Sequence, residues 1–258
     1  MIVISCGVGM DSIALLIEAE RQKIRPDLIV FADTGSEHPR TIAYISTLQS
    51  WLLSVGFPAL SVVRWIRRDG THTPLHEVCE ARSEMPSAAY GFAGCSDKWK
   101  RQPVDKYVKN YPDVIAALAA GEVVERWIGF NADEGHRLKG NDKQDAYRWR
   151  APLVEWDIGR AEVRQIIRCS GLPLPGKSSC WLCPHMKPGE VRDLRRDHPE
   201  LYQRAISIEA SAVAASAGRG SIRGLGRSAF AWADIERQGV LFDVRDQDVE
   251  DLPCMCLT

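Results

Sequence analysis

Two groups of residues in this 258-residue chain have the types and spacing for chemistry. The first is Gly7, Gly9, Asp11 and Ser12, within ISCGVGMDSIALL near the start. A glycine-rich turn between a strand and a helix lets backbone N–H groups close on an anion, and the positive end of the helix adds to their pull. Gly7 and Gly9 suit positive φ and close approach, and the Ser12 hydroxyl is placed to donate to a phosphate oxygen. The turn therefore reads as a phosphate cradle, and it lacks the lysine of the G-x-x-x-x-G-K-S/T loop. The second group is paired thiols: Cys180 and Cys183 in SCWLCP, and Cys254 and Cys256 in LPCMC. Thiolates at C-x-x-C spacing can point at one ion, and four from two paired segments suit a four-iron cluster or a zinc site.

The elements that must hold these groups follow from apolar periodicity. A buried strand is expected over 1–5 and a helix over 12–22, with Ile13, Leu15, Leu16 and Ile17 facing inward. LIVF at 28–31 is a second strand, 40–55 a second amphipathic helix, and ALSVVRWI and VVERWIGF are further strands. Strands alternating with helices predict an α/β fold, a doubly wound and mostly parallel sheet that binds ligands at the carboxyl ends of its strands. The texture changes near Leu174, where turn formers, a helical stretch over 190–217 and the basic, glycine-rich AGRGSIRGLGRSA follow. The expected division is a nucleotide-binding domain over 1–174 and a small cysteine-rich helical appendage over 175–258. The appendage is too small and irregular to fold without packing on the first domain or binding a metal.

The opening turn resembles the PP-loop of the adenine nucleotide alpha hydrolase superfamily, S-G-G-x-D-S, with Gly7 where the first serine is usual. FADTGSEHPRT resembles the D-T-G-x-E-x-P-x-T segment of the phosphoadenosine phosphosulfate (PAPS) reductase branch, matching at Asp33, Thr34 and Gly35 and keeping the spacing at Glu37, Pro39 and Thr41. WIGFNADEGHRL resembles a third segment of that branch through Gly129, Asp133, Glu134 and Arg137, with Asn131 in place of the usual arginine. APLVEWDIGRAEVRQII resembles the proline-leucine, Trp and helix element that comes next. CWLCP, DHPELYQRAISIE and CMC resemble three pieces of the subset that carries a C-terminal cysteine cluster.

This resemblance implies ATP or PAPS at Gly7, Gly9, Asp11, Ser12, Asp33, Thr34, Gly35, Gly129, Glu134 and Arg137, with Mg2+ beside Asp11 or Asp33. It also favours an iron–sulfur (4Fe-4S) cluster over Zn2+ at Cys180, Cys183, Cys254 and Cys256. GFAGCSDKWKRQPV resembles a C-x-x-x-K-x-x-P segment, so Cys95 is a further cluster ligand or a sulfur carrier. A thiol beside Lys98, Lys100 and Arg101 would be activated toward thiolate. Asp11, Asp33 and Cys95 are the expected catalytic residues. Cys6, Cys79 and Cys169 read as small core residues, and His185 as a reserve metal ligand.

Three functions follow from this reading. The first is an ATP-dependent adenylating enzyme that activates its target for sulfur transfer, with a nucleic acid as acceptor and a sulfur donor or reductant protein as partner. The second is a sulfonucleotide reductase releasing sulfite, although no E-C-G-L-H ending is present. The third is an inactive nucleotide-binding protein. A formal net charge of −1 gives no global attraction to nucleic acid, so Trp99, Lys98, Lys100, Arg101 and the basic glycine-rich stretch are the local candidates for one. No apolar run reaches the roughly 18 residues of a membrane span, and the first residues lack a secretory signal pattern, so the expected location is cytoplasmic, with no membrane partner.

Overall fold

The computed structural model describes residues 1–138, 147–216, 223–227 and 229–236. The strands are β1 (Ile2–Ser5), β2 (Leu28–Ala32), β3 (Leu60–Val63), β4 (Val124–Ile128) and β5 (Tyr147–Arg150). The α-helices in chain order are α1 (Met10–Arg21), α2 (Pro39–Ser54), α3 (Leu75–Arg82), α4 (Gly94–Ser96), α5 (Gln102–Lys109), α6 (Pro112–Ala119), α7 (Pro152–Glu155), α8 (Arg160–Cys169), α9 (Pro188–Asp197) and α10 (Pro199–Ala215). A π-helical turn, Asp97–Arg101, continues α4. Among the described residues no helix is long and apolar enough to cross a membrane.

The chain divides into two compact units: Met1–Asp33, Pro39–Val63 and Gln102–Ser178 form the first, while Thr34–His38, Arg64–Arg101 and the chain from Ser179 onward form the second. The first unit is a five-stranded, all-parallel, doubly wound sheet of order β3-β2-β1-β4-β5. Successive side chains of a strand point to opposite faces, so Ile4, Ile29 and Phe31 enter one core while Val3, Leu28 and Val30 enter another. The first core takes Ile13 and Leu16 of α1, Leu48 and Leu52 of α2, and Val163 and Ile167 of α8. The second takes Val104 and Val108 of α5 and Val114 of α6. All five residues of β2 are buried, which explains its unbroken apolar run. The strand order reverses at β1, whose neighbours are β2 and β4, and that reversal opens the crevice where such sheets bind ligands.

The second unit differs from the appendage expected after Leu174. It builds its own core by recruiting Arg64–Arg101, so that Leu75, Met85 and Trp99 pack with Trp181, Leu182, Val191, Tyr202 and Trp232. Composition does not reveal this, because 64–101 lies between two strands of the other unit. The helical stretch expected over 190–217 is two helices, broken at His198 (φ −142, ψ 64). Pro199 causes the break: it lacks an N–H and disfavours a helical conformation in the residue before it.

Glu209 of α10, 3% exposed, organises the end of this unit. Its carboxylate accepts the backbone N–H groups of Leu225, Trp232 and Ala233 at 2.6–3.1 Å. Glu209→Ala leaves these donors without an acceptor and should cost about 3 kcal/mol or more of unfolding free energy. Urea denaturation followed by tryptophan fluorescence checks this, and a loss below about 1 kcal/mol would show that the staple is dispensable.

Candidate nucleotide loop and cysteine pocket

In the first unit, β1 runs into the glycine-rich turn and α1 starts at Met10. The left-handed residue of the turn is Val8 (φ 58, buried), not a glycine, and Gly9 is extended (φ −103, ψ 174). A β-branched residue at positive φ is strained by about 1–3 kcal/mol, which the surrounding packing must hold. Ser12 also departs from the expected role. Its hydroxyl accepts the Gly9 N–H at 3.1 Å and donates to the Gly9 carbonyl at 3.0 Å, so it closes the turn on itself. Gly7 contributes its carbonyl, which accepts a bond from the Ser178 hydroxyl, and a Cβ on Gly9 would lie 3.4 Å from the Cβ of Ser178. Ser178 is therefore a second wall of the cradle that the motif does not announce.

The end of β4 supplies the rest. A Cβ on Gly129 would lie 2.8 Å from the Ser12 backbone N and 2.9 Å from its Cα, so only glycine lets this strand end approach the first turn of α1. Asn131, fully buried, donates from Nδ2 to Asp11 Oδ1 at 3.0 Å and accepts the Asp133 N–H at 3.0 Å. The residue that departs from the family pattern thus positions Asp11. Asp133 in turn accepts the Arg160 N–H at the start of α8. Glu134, three residues after Asn131, is buried at 4% exposure. Asp33, 5% exposed, ends the first unit's β2 segment, its N–H bonded to the Val63 carbonyl. The Arg137 side chain lies outside the described residues.

Thr34 and Gly35, expected beside the nucleotide, belong to the second unit and to its cysteines. The Ser36–His38 segment is fixed to the C-x-x-C turn by the bonds Trp181 N–H to Ser36 O and His38 N–H to Ser179 O. Gly35 must be glycine, with φ 69 and a would-be Cβ within 3.0 Å of His72 and Pro74. The Thr34 hydroxyl lies 3.1 Å from the Glu37 carboxylate and 3.1 Å from Cys180 Sγ. Lys100 Nζ, partly buried, stands 3.3 Å from the same oxygen of the fully buried Glu37 side chain, and Glu37 Oε2 has no hydrogen-bond partner.

One pocket of this unit is lined by Cys95, Cys180 and Cys183 together with Thr34, Ser96 and Lys100. Soft sulfur donors of this kind select iron–sulfur clusters or zinc. Among the described residues no three Cys, His, Asp or Glu side chains are grouped as ligands of one metal ion. His185 joins no such group. Cys254 and Cys256 lie outside the described residues.

One expectation about the thiols changes, that for Cys169. The cations near Cys95 are committed elsewhere: Lys98 to two indole rings, Lys100 to Glu37, and Arg101 to Asp97. Cys169 is exposed, not a core residue, because it falls on the last turn of α8. Cys6 is buried, and burial pushes its thiol pKa up. Cys79 is buried, and burial together with the nearby Cys95 pushes its thiol up to about 12.

No protein-family model matches the chain. Over 209 residues it is 21% identical to an uncharacterized protein of Methanocaldococcus jannaschii, a match covering 79% of this chain and 40% of that protein. The chain thus spans about two fifths of that relative's length. A structural comparison pairs it with the U34-tRNA thiolase NcsA from Methanococcus maripaludis, solved with its 4Fe-4S cluster, at 13% identity and a TM-score of 0.45 over 80% of this chain and 70% of that one.

Two outcomes test the site's geometry. Gly129→Ala forces backbone apart at the start of α1 and should cost about 1–3 kcal/mol in chemical denaturation, whereas a neutral result would deny the close approach. Because the thiolate is the reactive form, Cys79 should stay unlabelled by maleimide at pH 8 while exposed Cys169 reacts, as mass spectrometry of the native protein would show. Labelling of Cys79 as fast as Cys169 would contradict its burial and its raised pKa.

Proposed function

We propose that this chain is a PP-loop enzyme of the PAPS reductase-like kind that uses ATP to adenylate an oxygen of a nucleic-acid base, which sulfur then replaces. The observation that carries the reading is the arrangement at the sheet's reversal point. There Gly129 permits the end of β4 to meet the first turn of α1, and Asn131 holds Asp11 at the mouth of the cradle. Backbone N–H groups of the turn and the positive end of α1 bind the triphosphate. Asp11 and Asp33 are the carboxylates available to Mg2+, which would neutralise charge on the phosphates.

Adenylation converts a poor oxygen leaving group into a good one. The base's carbonyl oxygen attacks the α-phosphorus, the bond from that phosphorus to the β-bridging oxygen breaks, and pyrophosphate leaves. Hydrosulfide from a sulfur donor then adds to the activated carbon, and AMP departs with the former carbonyl oxygen while one proton is released. The second unit serves the sulfur half of this sequence. Cys95, Cys180 and Cys183 would hold a cluster, with Cys254 or Cys256 as candidates for a fourth ligand, and such a cluster supplies an iron at which sulfide can be bound. Around it Thr34 donates toward Cys180 or Glu37, and Lys100 neutralises Glu37 inside the unit. Asp33 and Thr34 are consecutive in the chain, as are Ser178 and Ser179, so residues of the nucleotide loop and of the cysteine pocket follow one another directly.

Anaerobically prepared protein should convert ATP to AMP and pyrophosphate, faster in the presence of an acceptor nucleic acid. Asp11→Ala should reduce this at least about 100-fold with the fold and iron content unchanged. Cys180→Ser and Cys183→Ser should lose bound iron and sulfur transfer while retaining ATP binding. Sulfite release from PAPS in place of ATP cleavage would overturn the adenylating reading in favour of a reductase, and neither product would favour a nucleotide-binding protein without chemistry.

A further inference from the structure

The second unit carries a cluster of cations that the nucleotide and cysteine sites do not use. The Lys98 ammonium lies 4.2 Å from the centroid of Trp65 and 4.3 Å from that of Trp99, whose rings are themselves 5.6 Å apart. Trp99 is buried and donates its indole N–H to the Thr73 carbonyl, so it is the fixed inner wall, while Trp65 is the partly exposed outer one. Arg82, the last residue of α3, and Arg67, held in the turn where its N–H bonds to the Thr71 carbonyl, are exposed on the same unit. Burial first, and then the charges of Arg82 and Arg67, hold the Lys98 ammonium below its ordinary pKa.

Among the described residues no carboxylate pairs with Arg67, Arg82 or Lys98 within salt-bridge distance. Asp69, the acid closest in sequence to Arg67, feels its charge but is bonded to Thr71. Grouping three like charges costs free energy in the unliganded protein, a cost that a polyanion threaded among them reverses. An aromatic face beside phosphate-binding cations is the combination that holds a single strand, with a base on the ring and the backbone on the charges. The local geometry also links this surface to the cysteine pocket within one unit. The π-helical turn sends Lys98 to the two indoles, while Cys95, Ser96 and Lys100 of the same short segment line the pocket.

We propose that Trp65, Arg67, Arg82 and Lys98 form a binding surface for single-stranded nucleic acid, the surface that brings the acceptor strand to the cysteine-bearing unit. The proposal rests on the adenylating reading for its purpose, but its test does not depend on ATP. The full chain is titrated into labelled single strands of about 15 nucleotides, one RNA and one DNA of equal sequence, and binding is read by fluorescence anisotropy between roughly 50 and 200 mM salt. Arg67→Ala with Arg82→Ala should weaken binding at least about tenfold and flatten the log–log salt dependence by about 1.4, near 0.7 for each phosphate no longer neutralised. Trp65→Leu should weaken it about five- to tenfold, and Trp65→Phe should restore most of the loss, which a merely structural tryptophan or lost charge would not do. Arg21→Ala with Lys23→Ala, an equal loss of charge on the other unit, should leave binding unchanged.

The tighter of the RNA and DNA arms names the acceptor, and either supports the surface. Absence of binding at the lower salt, equal binding by the Arg67, Arg82 double variant, or competition by inorganic polyphosphate as effective as that by the single strand would overturn it. ATP cleavage without acceptor is measured on the same variants. If binding falls as expected but no variant, nor the natural chain, cleaves ATP, the adenylating reading fails while the surface stands.

Discussion

The first unit of this protein depends on one close approach of backbone to backbone. At Gly129 the end of β4 comes so near the first turn of α1 that a Cβ would lie 2.8 Å from the Ser12 nitrogen. Because β1 and β4 are hydrogen-bonded neighbours, this approach fixes how the helix leaves the sheet. It also brings Asn131 within reach of Asp11. Everything proposed for the loop follows: backbone N–H groups at the start of a helix, an oriented carboxylate, and a turn tight enough to hold Val8 at positive φ. The Ser12 hydroxyl, closed on Gly9, belongs to this framework.

The second unit works by a different constraint. Among its described residues this cysteine-bearing region has no sheet, and its core is built from large aromatic residues and buried charge that is satisfied from the backbone. Trp99, Trp181 and Trp232 fill the core, and Glu209 gathers three N–H groups from the segment that covers it. Glu37 and Lys100 neutralise each other beside Cys180, which lets polar groups sit at a buried pocket. The same short stretch, 94–101, serves the pocket with some side chains and the exposed cations with others. The π turn makes that division possible by rotating successive residues differently from a regular helix.

Much of this was legible in the sequence. The four strands read from the apolar runs are present, and the parallel sheet follows from their alternation with helices. The glycine-rich turn between β1 and α1 was recognisable from Gly9, Asp11 and Ser12, but the hydrogen bonds inside it were not, because a motif gives residue types and not partners. Asn131 read as a departure from a pattern, and only the fold shows it gripping Asp11. Thr34 and Gly35 followed Asp33 in one motif, yet the chain leaves the first unit between Asp33 and Thr34, which places them with Cys180. The recruitment of 64–101 into the second core rests on packing between residues far apart in sequence, which local periodicity does not carry. The cations that follow Cys95 along the chain have partners in space that the sequence does not give: Lys98 the indole of Trp99, Lys100 Glu37, and Arg101 Asp97.

The central claim is that the phosphates of ATP bind at the turn between β1 and α1 and are felt at the end of β4. Hydrogen–deuterium exchange of the full chain, with and without saturating Mg-ATP, tests it most directly. The account predicts slowed exchange in peptides covering 7–13 and 128–134, because the N–H groups there are the anion's donors and the neighbouring strand end is locked to them. Slowed exchange elsewhere with these two segments unchanged would contradict it.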